Sequence, residues 1–359
     1  MNKNALFLFN IDSVLFSKWN KKESLDNFLI QNSVFFSGVK KGLLENDFNV
    51  TIYHRPNIFF GYKLLNYKYL NVIFNLIFGF INRHFTSIKL IKLIKKNKID
   101  IVFSNPINFV DNTLFSYLEK QKIISIQWFG LFPNLIKFYN KIYLKNTPRY
   151  SITSYSGDIN DLFPNIYKPK NFVKMFNPNI IKTFDEKIKK DIDILFIGGL
   201  QRKHSNRWEI LEKLKLYFNE NIHIYGYGKD EIPDHYQFKK DLKESIHGEL
   251  YINTIRRSKI VINLFLNGYE NFCGINNRIF EVLALKSFLI TEYNAGINDF
   301  FEIGNEIISF KNIEELIKLI EYYLKNENER EMIQKRGYLR VKEYNYYNFI
   351  EQLVELSNK

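Results

Sequence analysis

The chain has 359 residues, 51 Lys and Arg against 38 Asp and Glu, a formal charge of +13, and 46% hydrophobic residues. Such a composition excludes disorder, collagen and a disulfide-stapled miniature, and the length suits about two domains, each with its own core. The single Cys273 excludes an internal disulfide, and the opening MNKNALFLFN lacks a secretory signal, so a cytoplasmic location is expected.

The apolar run Leu6 to Phe9, bounded by Asn10 and Asp12, reads as a buried strand followed by a polar loop. A helical pattern from Ser24 to Glu45 follows, then a strand Asn49 to Tyr53 ending at His54 and Arg55. The apolar stretch Leu70 to Phe80 is short of the roughly 18 residues of a membrane span and carries Asn71 and Asn75. A helix over 86–97, a strand Asp100 to Phe103, a helix over 111–121 and a strand Ile123 to Gln127 continue the alternation. Strand and helix in turn imply a parallel sheet covered on both faces, with ligands met beyond the carboxyl ends of its strands. Asp12 and His54 lie at such ends.

Residues 155–190, with Pro164, Pro169 and Pro178, read as the crossing to a second lobe. There the expected strands are Asp193 to Ile197, Ile222 to Tyr225, Lys259 to Phe265 and Phe288 to Thr291; the expected helices are Asn206 to Phe218, Arg278 to Leu285, Ile313 to Lys325 and Glu329 to Tyr344. The fold class is therefore α/β, two doubly wound Rossmann-like domains facing a cleft. Their expected spans are 1–175 and 176–342, with a C-terminal helix over 343–359 packing back on the first.

Charge is distributed unevenly. Residues 1–176 hold 24 Lys and Arg against 10 Asp and Glu, whereas residues 177–359 hold 27 against 28. Blocks such as KLIKLIKKNK (89–98), with Lys92, Lys95 and Lys96, would attract phosphate-bearing or acidic partners, whether nucleic acid, an anionic lipid surface or an acidic glycan; the alternative is a solvated helix face. No compact aromatic and basic motif for nucleic acid is present.

Gly198-Gly199, read as a tight turn between strand and helix, would let a backbone approach a phosphate, with Arg202 and Arg207 in reach. The third glycine of a dinucleotide fingerprint and the Walker pattern are missing. Tyr225-Gly226-Tyr227-Gly228 is a second strand-end turn on which a nucleobase could rest. Asp191 and Asp193 resemble a metal-binding Asp-x-Asp, but they precede a strand instead of following one, and the histidines show no zinc spacing, so no metal is expected. In CGINNRIFEVLA (273–284), Asn276, Asn277 and Arg278 fall in the first turn of a helix with Glu281 one turn on. Arg and amides at a helix start favour a pyrophosphate, and a carboxylate one turn in can accept from ribose hydroxyls. Capping by Asn276 and an i,i+3 pair of Arg278 with Glu281 explain the same residues without a ligand.

The succession DIDILFIGGL, NRWEILEKL, IHIYGYG, SKIVINL and NNRIFEVLALKSFLITEYNAGINDFFEIGNE, closing on Glu329-Arg330 and Gly337-Tyr338, resembles the C-terminal lobe of spore-maturation-protein-like glycosyltransferases over residues 191–341. The first lobe is similar to the two-Rossmann GT-B plan in layout only. The resemblance implies a metal-independent bacterial transferase, with no cofactor besides a nucleotide-sugar co-substrate, that acts on a surface or capsular polysaccharide or a lipid-linked glycan, with peripheral contact at the inner face of the membrane. On it, Gly198, Gly199, Arg202 and Arg207 would neighbour the donor phosphates or sugar, Tyr225 to Gly228 the base, Asn276, Asn277 and Arg278 the pyrophosphate, and Glu281 the ribose. Retaining relatives carry a first Glu separated by seven residues from the second Glu of their motif; with Glu281 as the second, that place holds Cys273, with Glu270 three residues earlier, so retention is not implied. An inverting transferase of this kind would need a general base on the first lobe, for which Asp12 and His54 are the candidates, with an Asx turn and a solvated His as the plain alternatives. The rival expectations are a non-catalytic basic module for anionic glycan or nucleic acid and a GT-B-type nucleotide-sugar epimerase.

Overall fold

The computed structural model describes residues 3–11, 19, 23–56, 68–104, 110–128, 149–153, 172–176, 188–265 and 275–357. The chain divides into two compact units: Met1–Ser154, Asp158–Phe176 and Tyr346–Lys359 form one, and Tyr155–Gly157 with Asn177–Asn345 form the other.

The first unit is built on strands β1 (Lys3–Ile11), β2 (Phe48–Pro56), β3 (Ile101–Ser104), β4 (Ile124–Trp128), β5 (Tyr150–Thr153) and β6 (Phe172–Lys174). All pair in parallel, in the order β2-β1-β3-β4-β5-β6. Side chains alternate across a strand, so the nearly continuous apolar run of β1 must be covered twice. Leu6 and Leu8 pack with Leu90, Ile94, Leu114 and Leu118 of helices α3 (Lys68–Lys96) and α4 (Asn112–Lys120). Phe7 and Phe9 turn the other way, with ring centroids 5.5 and 5.0 Å from Phe36 of α2 (Val34–Glu45).

Two helical boundaries differ from the sequence reading. The segment Ser24 to Glu45 forms two helices, α1 (Leu25–Asn32) and α2, because Ser33 is extended (φ −128°) and its hydroxyl accepts from the Phe36 N–H as the cap of the second. Helix α3 starts at Lys68, well before position 86, and takes in the stretch Leu70 to Phe80. Among the described residues no helix is long and apolar enough to cross a membrane. The turns into β2, β3 and β4 close on left-handed Asp47, Lys98 and Lys122, where glycine would be the unstrained choice.

The second unit has strands β7 (Ile192–Gly199), β8 (Ile222–Tyr227), β9 (Ser258–Asn263), β10 (Leu289–Glu292) and β11 (Ile308–Phe310), parallel in the order β11-β10-β9-β7-β8. Gly198 and Gly199 are the last residues of β7, paired with Gly226 and Tyr227, and do not form a turn. The helices are α5 (Asn206–Phe218), α6 (Phe238–Asp241), α7 (Gly248–Arg257), α8 (Asn277–Ala284), α9 (Ile313–Lys325) and α10 (Glu327–Val341). Helices α6 and α7 and strand β11 are additions to the sequence reading. Trp208, Leu211, Leu214 and Phe218 lay α5 on Ile194, Phe196, Ile222 and Ile224.

The chain returns to the first unit in helix α11 (Tyr346–Ser357), which packs on α2. Asn46 Nδ2 donates to the Tyr347 carbonyl at 3.2 Å, and the ring of fully buried Phe349 meets Phe103, Trp128 and Phe176 edge-on, at 6.2, 5.4 and 5.9 Å. Phe349→Ala should destabilise this unit by about 3–5 kcal/mol, the usual cost of emptying an aromatic core position. Urea denaturation followed by Trp fluorescence, with the ring against Trp128, reads the lowered midpoint.

Candidate functional site

In the second sheet the strand order reverses between β7 and β9, the place where open parallel sheets leave a crevice beyond their carboxyl ends. Arg207, in the first turn of α5, fills the floor of that crevice. Its Nη1 donates to the Gly199 carbonyl at 2.8 Å, Nη2 to Leu264 at 2.8 Å and Nε to Phe265 at 3.2 Å. The side chain is 8% exposed and makes no ion pair among the described residues. Burial, and then the neighbouring charge of Arg278, hold its pKa down at about 10, against the opposing pull of Glu292 and Tyr227. Two guanidinium groups therefore sense each other at the end of β7 and β9.

Arg278 stands on α8, whose start is tied to the strand ends by a polar chain. Asn276 Nδ2 donates to Asn263 Oδ1 at 2.9 Å, and Asn263 Nδ2 donates to Thr291 Oγ1 at 2.8 Å. Asn276 does not cap the helix with its side chain, so the capping account of this residue fails; its buried Oδ1 has no partner. Arg278 and Glu281 do form the expected i,i+3 ion pair, at 3.8 Å, but without a direct hydrogen bond. Tyr251 of α7 lies between them: its hydroxyl donates to Glu281 Oε2 at 2.6 Å and accepts from Arg278 Nη1 at 2.7 Å. Burial and the Glu281 carboxylate push the phenol well above its ordinary pKa, so it keeps its proton. Asn277 is exposed at the helix start.

The other expected residues lie around this centre with different duties. A side chain on Gly226 would overlap the Gly198 carbonyl, and Gly228 is left-handed at φ +93°, so the protein's own packing explains both glycines. The Tyr225 ring is covered by Lys243, with Nζ 5.3 Å from its centroid. Arg202 is exposed, and its backbone N–H donates to Glu231. His204, which the sequence reading passed over, is buried beside Gly199 with Nδ1 unpartnered; burial, then Arg207 and Lys203, lower its pKa to about 4. Asp191 and Asp193 occupy the opposite, amino edge of the sheet, bound by Arg257 (2.8 and 2.5 Å) and Lys259 (2.6 Å). Among the described residues no three His, Cys, Asp or Glu side chains are grouped to hold a metal.

In the first unit His54 is near the carboxyl end of β2, and its Nε2 lies 2.7 Å from Asp26 Oδ1 in the first turn of α1. Lys92, Lys95 and Lys96 are exposed on α3, Lys95 with Nζ 5.5 Å from the Tyr117 ring. Asp12, Glu270 and Cys273 lie outside the described residues. Tyr251, Asn263 and Thr291 carried no sequence signal, because each gains its partner across 13 to 30 residues of chain.

Residues 202–355 match a family model described as glycosyl transferase-like, a little under half of the chain. No curated protein matches by sequence. Among solved structures, the chain is similar to sucrose-phosphate synthase from Thermosynechococcus elongatus, at 9% identity and a TM-score of 0.64, over 99% of this chain and 98% of that one. HepE from Anabaena, solved in complex with UDP and glucose, gives 11% identity and a TM-score of 0.58, over 99% of this chain and 100% of the other. TarM gives 15% identity and a TM-score of 0.54 over 79% of this chain, which spans only 58% of TarM. At these identities the likeness is one of fold, and the fold is GT-B, with two Rossmann-like units of parallel sheet and surrounding helices.

His204 makes the site's unit sensitive to acid. Its folded pKa of about 4 lies below its ordinary 6.5, so between these values the unfolded chain takes up a proton that the native state refuses. Stability should therefore fall as pH drops from 6.5 toward 4, and His204→Gln should flatten that slope. Urea denaturation of both proteins over this pH range measures it.

Proposed function

We propose that the chain is a GT-B glycosyltransferase that moves a sugar from a nucleotide-sugar to an acceptor hydroxyl, and that the donor lies at the carboxyl edge of the second sheet. The observation that carries this reading is the approach of Arg207 and Arg278 at the switch point, with the buried Arg207 making no ion pair among the described residues. A pyrophosphate would supply the missing negative charge, and the first turns of α5 and α8 would add their dipoles. Arg278 would hold the pyrophosphate, Glu281 the ribose, and the β8 end at Gly226 to Gly228 would border the base. Arg207, whose N–H groups serve strand carbonyls, would act on the phosphates through its charge. The cations take over the neutralisation that a metal would otherwise provide. The match of residues 202–355 to the glycosyl transferase-like model supports this assignment, and the motif order over 191–341 favours the narrower spore-maturation-protein-like group. UDP, bound in the HepE structure, is the first nucleotide to test.

The excess positive charge of the first half supports an anionic acceptor, in the class of surface or capsular polysaccharide or lipid-linked glycan, approached in part through Lys92, Lys95 and Lys96. His54, its Nε2–H directed to Asp26, would present Nδ1 as the proton acceptor for the hydroxyl. Release of nucleoside diphosphate from a panel of nucleotide-sugars, in excess chelator and with or without candidate acceptors, tests the whole reading. Acceptor-dependent release supports transfer; an epimerised donor or the absence of turnover would replace it by an epimerase or a binding module.

Two outcomes follow at residue level. Arg278→Ala and Glu281→Ala should each weaken nucleoside diphosphate binding by about one to two decades, the loss of a charge-assisted hydrogen bond. Calorimetric titration reads it, and unchanged affinity in both variants would leave the pair a purely structural one. Charge reversal at Lys92, Lys95 and Lys96 together should weaken the apparent affinity for an anionic acceptor at low salt while leaving nucleotide binding alone. The difference should vanish as the Debye length shrinks from about 10 Å at 0.1 M to about 3 Å at 1 M; equal affinities at low salt would remove this face from the acceptor site.

A further inference from the structure

Arg278 and Glu281 stand three residues apart on α8, a spacing at which opposite charges on a helix normally close on one another. Here they close only as far as an ion pair, without a direct hydrogen bond. Their nearest atoms, Nε and Oε2, are 3.8 Å apart, and both side chains keep some exposure, 22% and 31%. The Tyr251 hydroxyl intervenes, giving its proton to Glu281 Oε2 and receiving the Arg278 Nη1–H, while the guanidinium carbon stands 4.9 Å from the Tyr251 ring centroid.

The arrangement has a definite consequence for a ligand. An arginine and a carboxylate in a bidentate pair spend two N–H groups and both oxygens on each other. With the phenol between them, Glu281 Oε1 and four of the five N–H groups of Arg278 have no partner among the described residues. The ring also fixes the plane of the guanidinium by a cation–π contact. Because burial and Glu281 keep the phenol protonated, it is a donor toward the carboxylate and an acceptor toward the arginine at any physiological pH.

We infer that Tyr251 is a positioning residue of the donor site: its hydroxyl holds Arg278 and Glu281 apart, so that one can meet the diphosphate and the other the ribose of the same nucleotide. This rests on the reading of the site as a nucleoside diphosphate pocket. Tyr251 touches neither ligand group in this scheme. It acts by preventing two oppositely charged ligand-binding side chains from spending their hydrogen-bonding groups directly on each other.

The test is a double-mutant cycle read with inorganic pyrophosphate, which engages the arginine and has no ribose. Wild type, Tyr251→Phe, Glu281→Gln and the double variant of the full chain are titrated calorimetrically with pyrophosphate and with UDP, and their thermal midpoints are compared. Removing the hydroxyl lets Arg278 close on Glu281, so Tyr251→Phe should weaken pyrophosphate and UDP each about tenfold without lowering the thermal midpoint. In the Glu281→Gln background the carboxylate no longer competes for Arg278, and the same change should alter pyrophosphate affinity less than twofold. Equal pyrophosphate affinity in wild type and Tyr251→Phe would overturn the inference. So would a tenfold loss in both backgrounds, which marks a packing role. If Tyr251→Phe lowers the thermal midpoint, the ratio between the two backgrounds still decides. Wild type that binds neither UDP nor pyrophosphate would overturn the donor-site reading along with this one, whereas binding that is indifferent to Tyr251 overturns this one alone.

Discussion

The second unit is organised around one buried guanidinium. In a parallel sheet the carbonyls at the carboxyl end of the last strand residues have no further strand to bond, and at the switch point no connecting loop crosses between the two central strands to cover them. Arg207 answers this by donating to Gly199 at the end of β7 and to Leu264 and Phe265 just after β9. The bonds satisfy the carbonyls, but they do not neutralise the charge. A buried cation whose hydrogen bonds all go to carbonyl dipoles costs free energy relative to water, only partly offset by the nearby Glu292, and the depressed pKa of Arg207 registers that cost. The site is thus built with an electrostatic deficit that an anion would repair.

The position of the second arginine follows from the same crevice. Asn263 is the last residue of β9, one step before the carbonyls that Arg207 binds, and it links Thr291 of β10 to Asn276 at the start of α8. An amide chain of this kind fixes one geometry through its two bonds, at the cost of leaving Asn276 Oδ1 unpartnered among the described residues. Arg278 inherits that geometry. The helix start cannot slide along the sheet without breaking Asn276 from Asn263, so the backbone position of Arg278 is tied to the strand ends.

The parallel α/β class was legible because β1, β3, β4 and β7 are short apolar runs closed by Asn, Ser, Gly or Asp, and because the α5 and α9 patterns begin and end at clear signals. Asn312, for example, accepts from the Glu315 N–H where periodicity begins. What escaped had physical reasons. Ser33 interrupts a continuous helical pattern by capping, which periodicity does not weigh. Asp47, Lys98, Lys122 and Lys286 end helices in the left-handed conformation without the glycine that would announce it. At the site, Arg278 and Glu281 were visible as a spacing, but their separation by Tyr251 was not, since the phenol arrives from 27 and 30 residues away. Arg207 was visible as a cation near two glycines, yet its engagement with carbonyls 57 and 58 residues on was not. Local pattern reports what a residue can do; long-range contact decides which of its groups is already occupied.

The uneven charge acquires a physical meaning from the pairing of individual side chains. In the second unit cations are locally neutralised: Arg257 on Asp191, Lys259 on Asp193, Lys239 on Asp234, Arg330 on Glu327 and Arg340 on Glu343. In the first unit Lys92, Lys95 and Lys96 make no ion pair among the described residues, and Lys95 rests on the quadrupole of Tyr117, which leaves its charge intact. Paired charges produce fields that decay within a few ångströms, whereas an unpaired cluster of one sign projects over a Debye length of roughly 10 Å. The field of the Lys92, Lys95 and Lys96 cluster therefore reaches beyond contact range. The second unit has its unbalanced charge in a buried crevice, where it acts at contact range only and where geometry can select.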